Sequence, residues 1–460
     1  MALIKSISGF RGTIGGRPND NLTPIDIVKF ASAYGSWLIQ QSNGPVKVVV
    51  GRDGRMSGEM VESLVEQSLL ALGIDVIHLG LSTTPTVEMA VVFEQAHGGI
   101  ILTASHNPKQ WNALKLLNAK GEFVSGEEGK AILNLAANED FNYTDIDQMG
   151  KIIPNDTSLQ KHIDAIVQHP LVDVKAIQAA HFSVVLDAIN SSGAFTVPAL
   201  LKAIGVHQIK ILNEEMTGNF AHNPEPLKEH LTELCDTVKN EKAHLGIAVD
   251  PDVDRLCFVS EDGALFGEEY TLVAVADYIL KHKKGSTVSN LSSTRALRDV
   301  TEKHGCSYFA SAVGEVNVVN MMKSQNAVIG GEGNGGIIVP DLHYGRDALI
   351  GIALFLSHLA HTKLTTSALR ASYPSYFMSK KKMDLNPSLS LASIFEKLEK
   401  EFAAYPINKV DGMKIDFEKE WVHLRSSNTE PIIRIYTEAP TQIAADNLAD
   451  RIIAIIGTIQ

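Results

Sequence analysis

The sequence predicts an α/β protein: three similar mixed α/β domains and a C-terminal α+β domain around a central cleft. Three observations lead there. The 460 residues are several times the usual ~100–200 residues of one domain. Short β-branched runs alternate with 3.6-period segments over most of the chain, which is the grammar of βαβ units. Near Ser372 that alternation gives way to hairpin-like strands.

The first set opens with VKVVV from Val46, continues through GEMVESLVEQSLLALG and IDVIHLG, and reaches GGIILTAS. The polar segment ANEDFNYTDIDQ then interrupts it, so a first domain is expected over residues 1–150. FSVVLDAIN, a helical stretch around Val197–Lys202, IKIL, the helix LKEHLTELCDTVKN and LGIAVD make a second set, 151–249. LCFVS, EEYTLVAVADYILKH, TVSN, TRALRDVTEKHG, AVIGGEG and ALIGIALFLSHLAH make a third, 250–371. The last, 372–460, holds YFMSKKKM, the helix ASIFEKLEKEFAA, the strands around MKIDF, WVHLRSS and PIIRIYTEA, and a closing amphipathic helix. No Pro-rich or low-complexity linker separates the sets, which favours domains that share interfaces.

Composition narrows the function. Hydrophobic residues make up 45% and charged residues 20%, close to the globular average. With 41 Lys plus Arg against 53 Asp plus Glu, a formal charge of −12 disfavours nucleic acid and anionic membranes as partners. A small anion remains compatible with clustered arginines. Cys235, Cys257 and Cys306 lie far apart without CxxC spacing, and neither an apolar h-region near the N-terminus nor a run of ~18 apolar residues occurs. A reducing, cytoplasmic setting is expected.

Four polar segments follow strand-like runs, where α/β proteins place ligands. In Thr103-Ala104-Ser105-His106-Asn107-Pro108, Ser105 offers a hydroxyl for phosphorylation, His106 a titratable neighbour, and Lys115 downstream a general acid or base. A hydrogen-bonded polar loop fits the same residue types. Asp250-Pro251-Asp252-Val253-Asp254-Arg255 sets three carboxylates at alternate positions, a concentration of charge suited to Mg²⁺, a hard ion with oxygen ligands. A calcium EF-hand is rejected, because its sixth position would be Arg255 where a sharp turn needs glycine. Solvated carboxylates at a strand end are the other reading. Gly330–Gly336 contains Glu332 and Asn334, donors and acceptors suited to sugar hydroxyls, within what could equally be a plain glycine turn. Arg425-Ser426-Ser427-Asn428-Thr429-Glu430-Pro431 could cradle a phosphate dianion or form a surface turn; no Walker A loop occurs.

Taken together and in order, TASHNP with Lys115, DPDVDR, GEGNGG and RSSNTEP resemble the α-D-phosphohexomutase family, which includes phosphoglucosamine mutases, phosphoglucomutases and phosphomannomutases. The match spans essentially the whole chain. The resemblance implies four domains that each give one loop to a cleft, with Ser105 as phosphoserine. Asp250, Asp252 and Asp254 would hold Mg²⁺ with an oxygen of that phosphate. Lys115 would be the general acid/base, assisted by His106. Arg255 would lie near the phosphoserine, and Glu332 and Asn334 would read the sugar. Arg425, Ser427, Asn428 and Thr429 would grip the non-reacting phosphate, and SGFRG, similar to the family's SGIRG turn, would place Arg11 in the cleft. The implied substrates are 1- and 6-phosphates of glucosamine, glucose or mannose, interconverted through a 1,6-bisphosphate. Phosphoglucosamine mutase is the leading expectation, phosphoglucomutase/phosphomannomutase the close alternative. A metal-dependent phosphatase would use water in place of the sugar hydroxyl, but leaves the Arg425 loop without a task. A non-catalytic sensor would not need Ser105, Lys115 and all three aspartates. Departures from the family pattern, Asn334 for the usual Ser and Ser311 opening SAVGE, bear on the sugar and not on phosphoryl transfer.

Overall fold

The computed structural model describes residues 3–6, 9–384, 391–426 and 432–458. Its first three units share one strand order. Each has four successive strands: Lys47–Arg52, Asp75–Leu81, Gly98–Leu102 and Trp111–Leu117 in the first; Ser183–Asp187, Gln208–Leu212, Leu245–Val249 and Leu256–Ser260 in the second; Thr287–Asn290, Tyr308–Ser311, Ile329–Glu332 and Gly336–Ile338 in the third. In every sheet they lie in the spatial order fourth, third, first, second. The first three strands run parallel and the fourth folds back antiparallel on the third. The repeat seen in the sequence only as a pattern is thus a repeat of topology. Parallel neighbours need crossover helices, and the fourth strand needs only a hairpin. That hairpin carries a polar loop in each unit.

Two boundaries differ from the sequence-based expectation. Ile152–Pro154 pairs parallel with Asp75–Leu81, extending the first sheet past residue 150. Leu256–Ser260 pairs along its length with Leu245–Val249, so the aspartate loop lies inside the second unit and not between units. The physical reason is the tight turn, which leaves its two flanking strands adjacent in one sheet. LKEHLTELCDTVKN also divides, into a 3₁₀ turn Lys228–His230 and the α-helix Thr232–Glu241.

Local signals fix the helix ends. Thr23 with Asp26, and Ser125 with Glu128, form capping boxes, satisfying backbone N–H groups left free in a first turn. Ala348–Thr362, apolar on nearly all sides, is buried over most of its length, as such a helix must be. It lies between the second and third sheets, and its Phe355 stacks on Phe258 at 3.8 Å between ring centres. Those two units consequently share one apolar core, from Ile163 and Leu186 to Tyr278 and Leu369.

The fourth unit is an antiparallel sheet ordered Phe377–Asp384, Ile432–Ala439, Trp421–Ser426, Met413–Asp416, Ile407–Asn408. Helices Leu391–Glu401 and Gln442–Gly457 pack into its separate core. It docks on the third unit through Arg295, whose guanidinium donates to the carbonyls of Phe417 and Glu418, both at 3.1 Å, and whose N–H donates to Glu438 at 2.9 Å. Among the described residues, no helix is long and apolar enough to cross a membrane.

Candidate active site

The hairpin loops of the three repeated units converge. The first brings Ser105, the second Asp250, Asp252 and Asp254, the third Gly333, Asn334 and Gly335. Strand C-terminal ends are where open α/β sheets leave a crevice. Here the crevice is a cavity of about 600 Å³, walled by Arg11, Ser105 and His106 of the first unit, Arg255 of the second, and Glu332 and Arg346 of the third.

Ser105 sits on a tight bend, with φ of +50°, a conformation that a non-glycine residue keeps only when its surroundings impose it. They do. The buried Arg55 donates to the carbonyls of Ser105, Asn107, Pro108 and Trp111 and pairs with Asp53 at 3.0 Å. Thr103 Oγ1 accepts the Ser105 N–H at 2.9 Å and donates to Asp53 at 2.6 Å. The result fixes Ser105 Oγ, which donates to Asp250 Oδ2 at 2.7 Å across the gap between units.

The aspartate loop is fully buried. Asp250 Oδ1 accepts the N–H groups of Asp254 (3.1 Å) and Arg255 (3.0 Å). Asp252 Oδ2 accepts from Lys115 Nζ (2.7 Å) and Thr84 Oγ1 (2.5 Å); Asp254 Oδ2 accepts from Arg346 (2.7 Å) and lies 3.3 Å from Lys115 Nζ. The remaining oxygens, Asp252 Oδ1 and Asp254 Oδ1, are buried with no hydrogen-bond partner among the described residues. Ligand atoms of the three aspartates lie within 4.8 Å of one another. Burial, and then repulsion from Asp252 and Asp254, push the Asp250 carboxyl well above its ordinary range. Unpartnered buried carboxylate oxygens of like charge are costly unless a cation joins them. An all-oxygen donor set of this kind fits Mg²⁺.

Lys115 is buried. Desolvation alone would lower its pKa, but Asp252 and Asp254 outweigh it and hold the ammonium above its usual range. His106 goes the other way. Burial, reinforced by Arg255 and Arg11, lowers it to about 2, so it faces the cavity as a neutral imidazole, with Nδ1 unpartnered among the described residues. His106 thus offers the cavity uncharged hydrogen-bonding nitrogens, beside the charged ammonium of Lys115. Arg11 donates to Asn107 at 2.8 Å, and Arg255 donates to Glu225 at 3.2 Å.

Glu332 is held from three sides. Asn290 (2.9 Å) and the Gly314 N–H (3.1 Å) donate to Oε1, and Arg346 (2.9 Å) donates to Oε2. Asn334 lies beside it, with Oδ1 accepting the Gly336 N–H at 3.1 Å. Arg425 is not among the residues lining this cavity. It pairs with Asp411 at 2.8 Å, and Asp411 also accepts the N–H of Val313, a lining residue, at 2.9 Å. Ser427, Asn428 and Thr429 lie outside the described residues.

Comparison with known proteins bears directly on this arrangement. The phosphoglucomutase/phosphomannomutase family models match in order: α/β/α domain I over residues 4–143, domain II over 160–263, domain III over 267–376, and the C-terminal domain over 387–455. The chain belongs to this family of phosphohexomutases. Its relatives differ in sugar. A phosphoglucomutase/phosphomannomutase of Thermococcus kodakarensis is 35% identical over 437 residues, 94% of each chain. A phosphoglucosamine/phosphogalactosamine mutase of Sulfurisphaera tokodaii is 30% identical over 463 residues, 99% of each chain. The crystal structure of a phosphoglucomutase/phosphomannomutase family protein from Burkholderia thailandensis matches with a TM-score of 0.85 at 24% identity, covering 99% of this chain and 98% of that one.

Two arginines of this phosphohexomutase-family site escape a reading of the sequence. Arg55 ends Gly51-Arg52-Asp53-Gly54-Arg55, and Arg346 stands just before the helix cap Asp347. The available signal was an Arg–Asp pair beside a strand end or helix start. Its partners are distant in sequence, so the role shows only in three dimensions. Replacing Arg55 with Met leaves Asp53 buried and unpaired. We expect Arg55→Met to lower stability by about 3–5 kcal/mol, as for a broken buried ion pair, measured by urea unfolding; an unchanged midpoint would refute Arg55 as the loop's anchor.

Proposed function

We propose that this chain is a Mg²⁺-dependent phosphohexomutase in which Ser105 carries the phosphoryl group exchanged with a sugar phosphate. The observation that supports it best is the contact of Ser105 Oγ with Asp250, one of three buried aspartates that retain two unpartnered oxygens, at a cavity roomy enough for a sugar phosphate. Asp250, Asp252 and Asp254 would hold the Mg²⁺, which would supply charge neutralisation for the phosphoryl group.

The protein's own groups supply the rest. In the first transfer the bond from phosphorus to Ser105 Oγ breaks and one to a sugar hydroxyl oxygen forms. The hydroxyl proton must leave and Ser105 Oγ must gain one. Lys115, an ammonium at rest, gives its proton to the departing serine oxygen and takes up that of the hydroxyl, ending unchanged. Neutral His106 accepts a hydrogen bond from the sugar. Arg11 and Arg255 place positive charge along the cavity wall, where phosphate oxygens need it. The resulting 1,6-bisphosphate turns end for end, and its other phosphate returns to Ser105. Glu332 and Asn334 orient the sugar ring. The fourth unit's Arg425 segment grips the non-reacting phosphate, with Ser427, Asn428 and Thr429 as its remaining donors. The link from Arg425 through Asp411 to Val313 ties that segment to the cavity wall.

Glucosamine phosphate is the leading substrate, consistent with the amino-sugar mutase that matches 99% of the chain. Neutral hexose phosphates are the second reading, favoured by the 35% identical phosphoglucomutase/phosphomannomutase. The sugars differ at C2. Turnover of glucosamine, glucose and mannose 1-phosphates, compared side by side with a trace of the matching bisphosphate, is expected to give the highest kcat/KM for glucosamine 1-phosphate; a higher value for either neutral sugar transfers the assignment to it.

Ser105→Ala is expected to reduce mutase turnover by several orders of magnitude with little change in thermal midpoint, because the lost hydroxyl is the phosphate carrier; near-normal turnover would sink the mechanism. Stripping divalent cations with a chelator should abolish turnover, and Mg²⁺ should restore it. Full activity in the metal-free protein would remove Mg²⁺ from the assignment.

A further inference from the structure

Directly beneath the aspartate loop, a second cluster of ligating side chains joins three units. The helix Thr84–Phe93 carries Thr84, which touches Asp252, and one turn later Glu88, which faces this cluster. On the opposite side Arg346 holds Asp254, while the adjoining Asp347 turns into the cluster. His162, from the helix Ser158–Gln168 of the second unit, places Nε2 2.9 Å from Asp347 Oδ2. His343 of the third unit places Nε2 3.3 Å from the same oxygen. These three ligand atoms lie within 4.8 Å of one another, and His162 and Asp347 are fully buried. Tetrahedral zinc with bonds of roughly 2.0–2.1 Å sets its ligand atoms about 3.3 Å apart.

The outer contacts are those that ligating residues require. A metal-bound histidine usually directs its other ring nitrogen at a carboxylate, carbonyl or hydroxyl, which fixes the tautomer. His162 Nδ1 meets Thr86 Oγ1 at 3.0 Å. His343 Nδ1 faces Glu88 Oε2 at 3.4 Å. Asp347 commits Oδ1 to the N–H groups of Leu349 and Ile350 at the start of its helix, leaving Oδ2 for the cluster. Glu88 is built into the same arrangement. It is 1% exposed, and neither of its oxygens has a hydrogen-bond partner among the described residues. A Cβ at Gly345 would stand 1.8 Å from Glu88 Oε2, so the glycine makes room for this carboxylate. Glu88, buried and paired with His343 Nδ1, holds that ring with Nε2 toward Asp347, the carboxylate–histidine arrangement that orients a metal ligand.

We propose that His162, His343 and Asp347 form a site for a borderline transition metal of the zinc class, separate from the Mg²⁺ site, that fastens the second unit to the third behind the active loops. Two imidazoles and one carboxylate favour zinc over magnesium, which takes oxygen ligands. The competing occupant is a proton on His343, bridging Glu88 and Asp347.

The test uses the full chain, stripped with a chelator and then titrated with Zn²⁺ in the presence of excess Mg²⁺, with bound zinc measured by mass spectrometry after desalting. One equivalent of retained zinc per chain is expected, with a raised thermal midpoint. Co²⁺ in its place should give the intense visible bands of a low-coordinate nitrogen-ligated ion. Asp252→Asn should retain the zinc, whereas His162→Gln and His343→Asn should lose it. Should the histidine variants not fold, Glu88→Gln decides, since loss of an outer partner is expected to weaken zinc by roughly 10–100-fold. No retained zinc in the unaltered protein, zinc lost with Asp252→Asn, or unchanged affinity in Glu88→Gln would each overturn the proposal. Mutase turnover under Mg²⁺ alone tests the catalytic reading separately.

Discussion

Burying three carboxylates in one loop is the constraint around which this molecule is organised. Asp250, Asp252 and Asp254 repel one another in a setting with little water, and that repulsion must be met by groups brought from elsewhere. Ser105 and Lys115 come from the first unit and Arg346 from the third. Each of these three side-chain contacts is therefore also a contact between units. Electrostatic necessity and domain assembly are met by the same bonds, so the catalytic groups assemble only when the units are correctly placed. The unpartnered oxygens of Asp252 and Asp254 show where protein groups alone fall short.

Arg346 illustrates how tightly these demands are linked. Its guanidinium reaches Asp254, Glu332 and Glu315 at 2.7, 2.9 and 3.0 Å, spanning the aspartate loop, the Asn334 hairpin and the neighbouring Val313-Gly314-Glu315 segment. Gly336 leaves space for it, since a Cβ there would approach Arg346 Cδ to 2.3 Å. The planar fork of arginine suits such multiple pairing, whereas a lysine would satisfy one carboxylate at a time.

Much of this was legible in the sequence, for identifiable reasons. Strand periods and β-branched runs report local geometry, and they located most of the elements around the site. Ser105, the aspartates and Asn334 fall in short polar loops after apolar strands, Glu332 ends a strand and Lys115 interrupts an apolar one, contrasts that are visible without coordinates. Unit boundaries were harder to read. Whether Leu256–Ser260 closes the second sheet or opens a third unit depends on hydrogen bonds across a turn, and either assignment gives the same apolar run. Arg55 and Arg346 were hidden for a related reason: a buried arginine is indistinguishable from a solvated one until its distant carboxylates and carbonyls are in place. The neutrality of His106 likewise follows from its burial and then from Arg255 and Arg11, which folding gathers around it.

The common strand order of the first three units carries an evolutionary consequence. The equivalent hairpin holds Ser105 in the first unit, the three aspartates in the second and Asn334 in the third. One strand order with three different loops is the pattern that duplication followed by divergence would leave. It also leaves the copies unequal in their freedom to vary. Among the described residues, Asn334 hydrogen-bonds only within its own hairpin, whereas Glu315 and Glu332 are tied through Arg346 to Asp254, so within this module Asn334 is the position freest to vary.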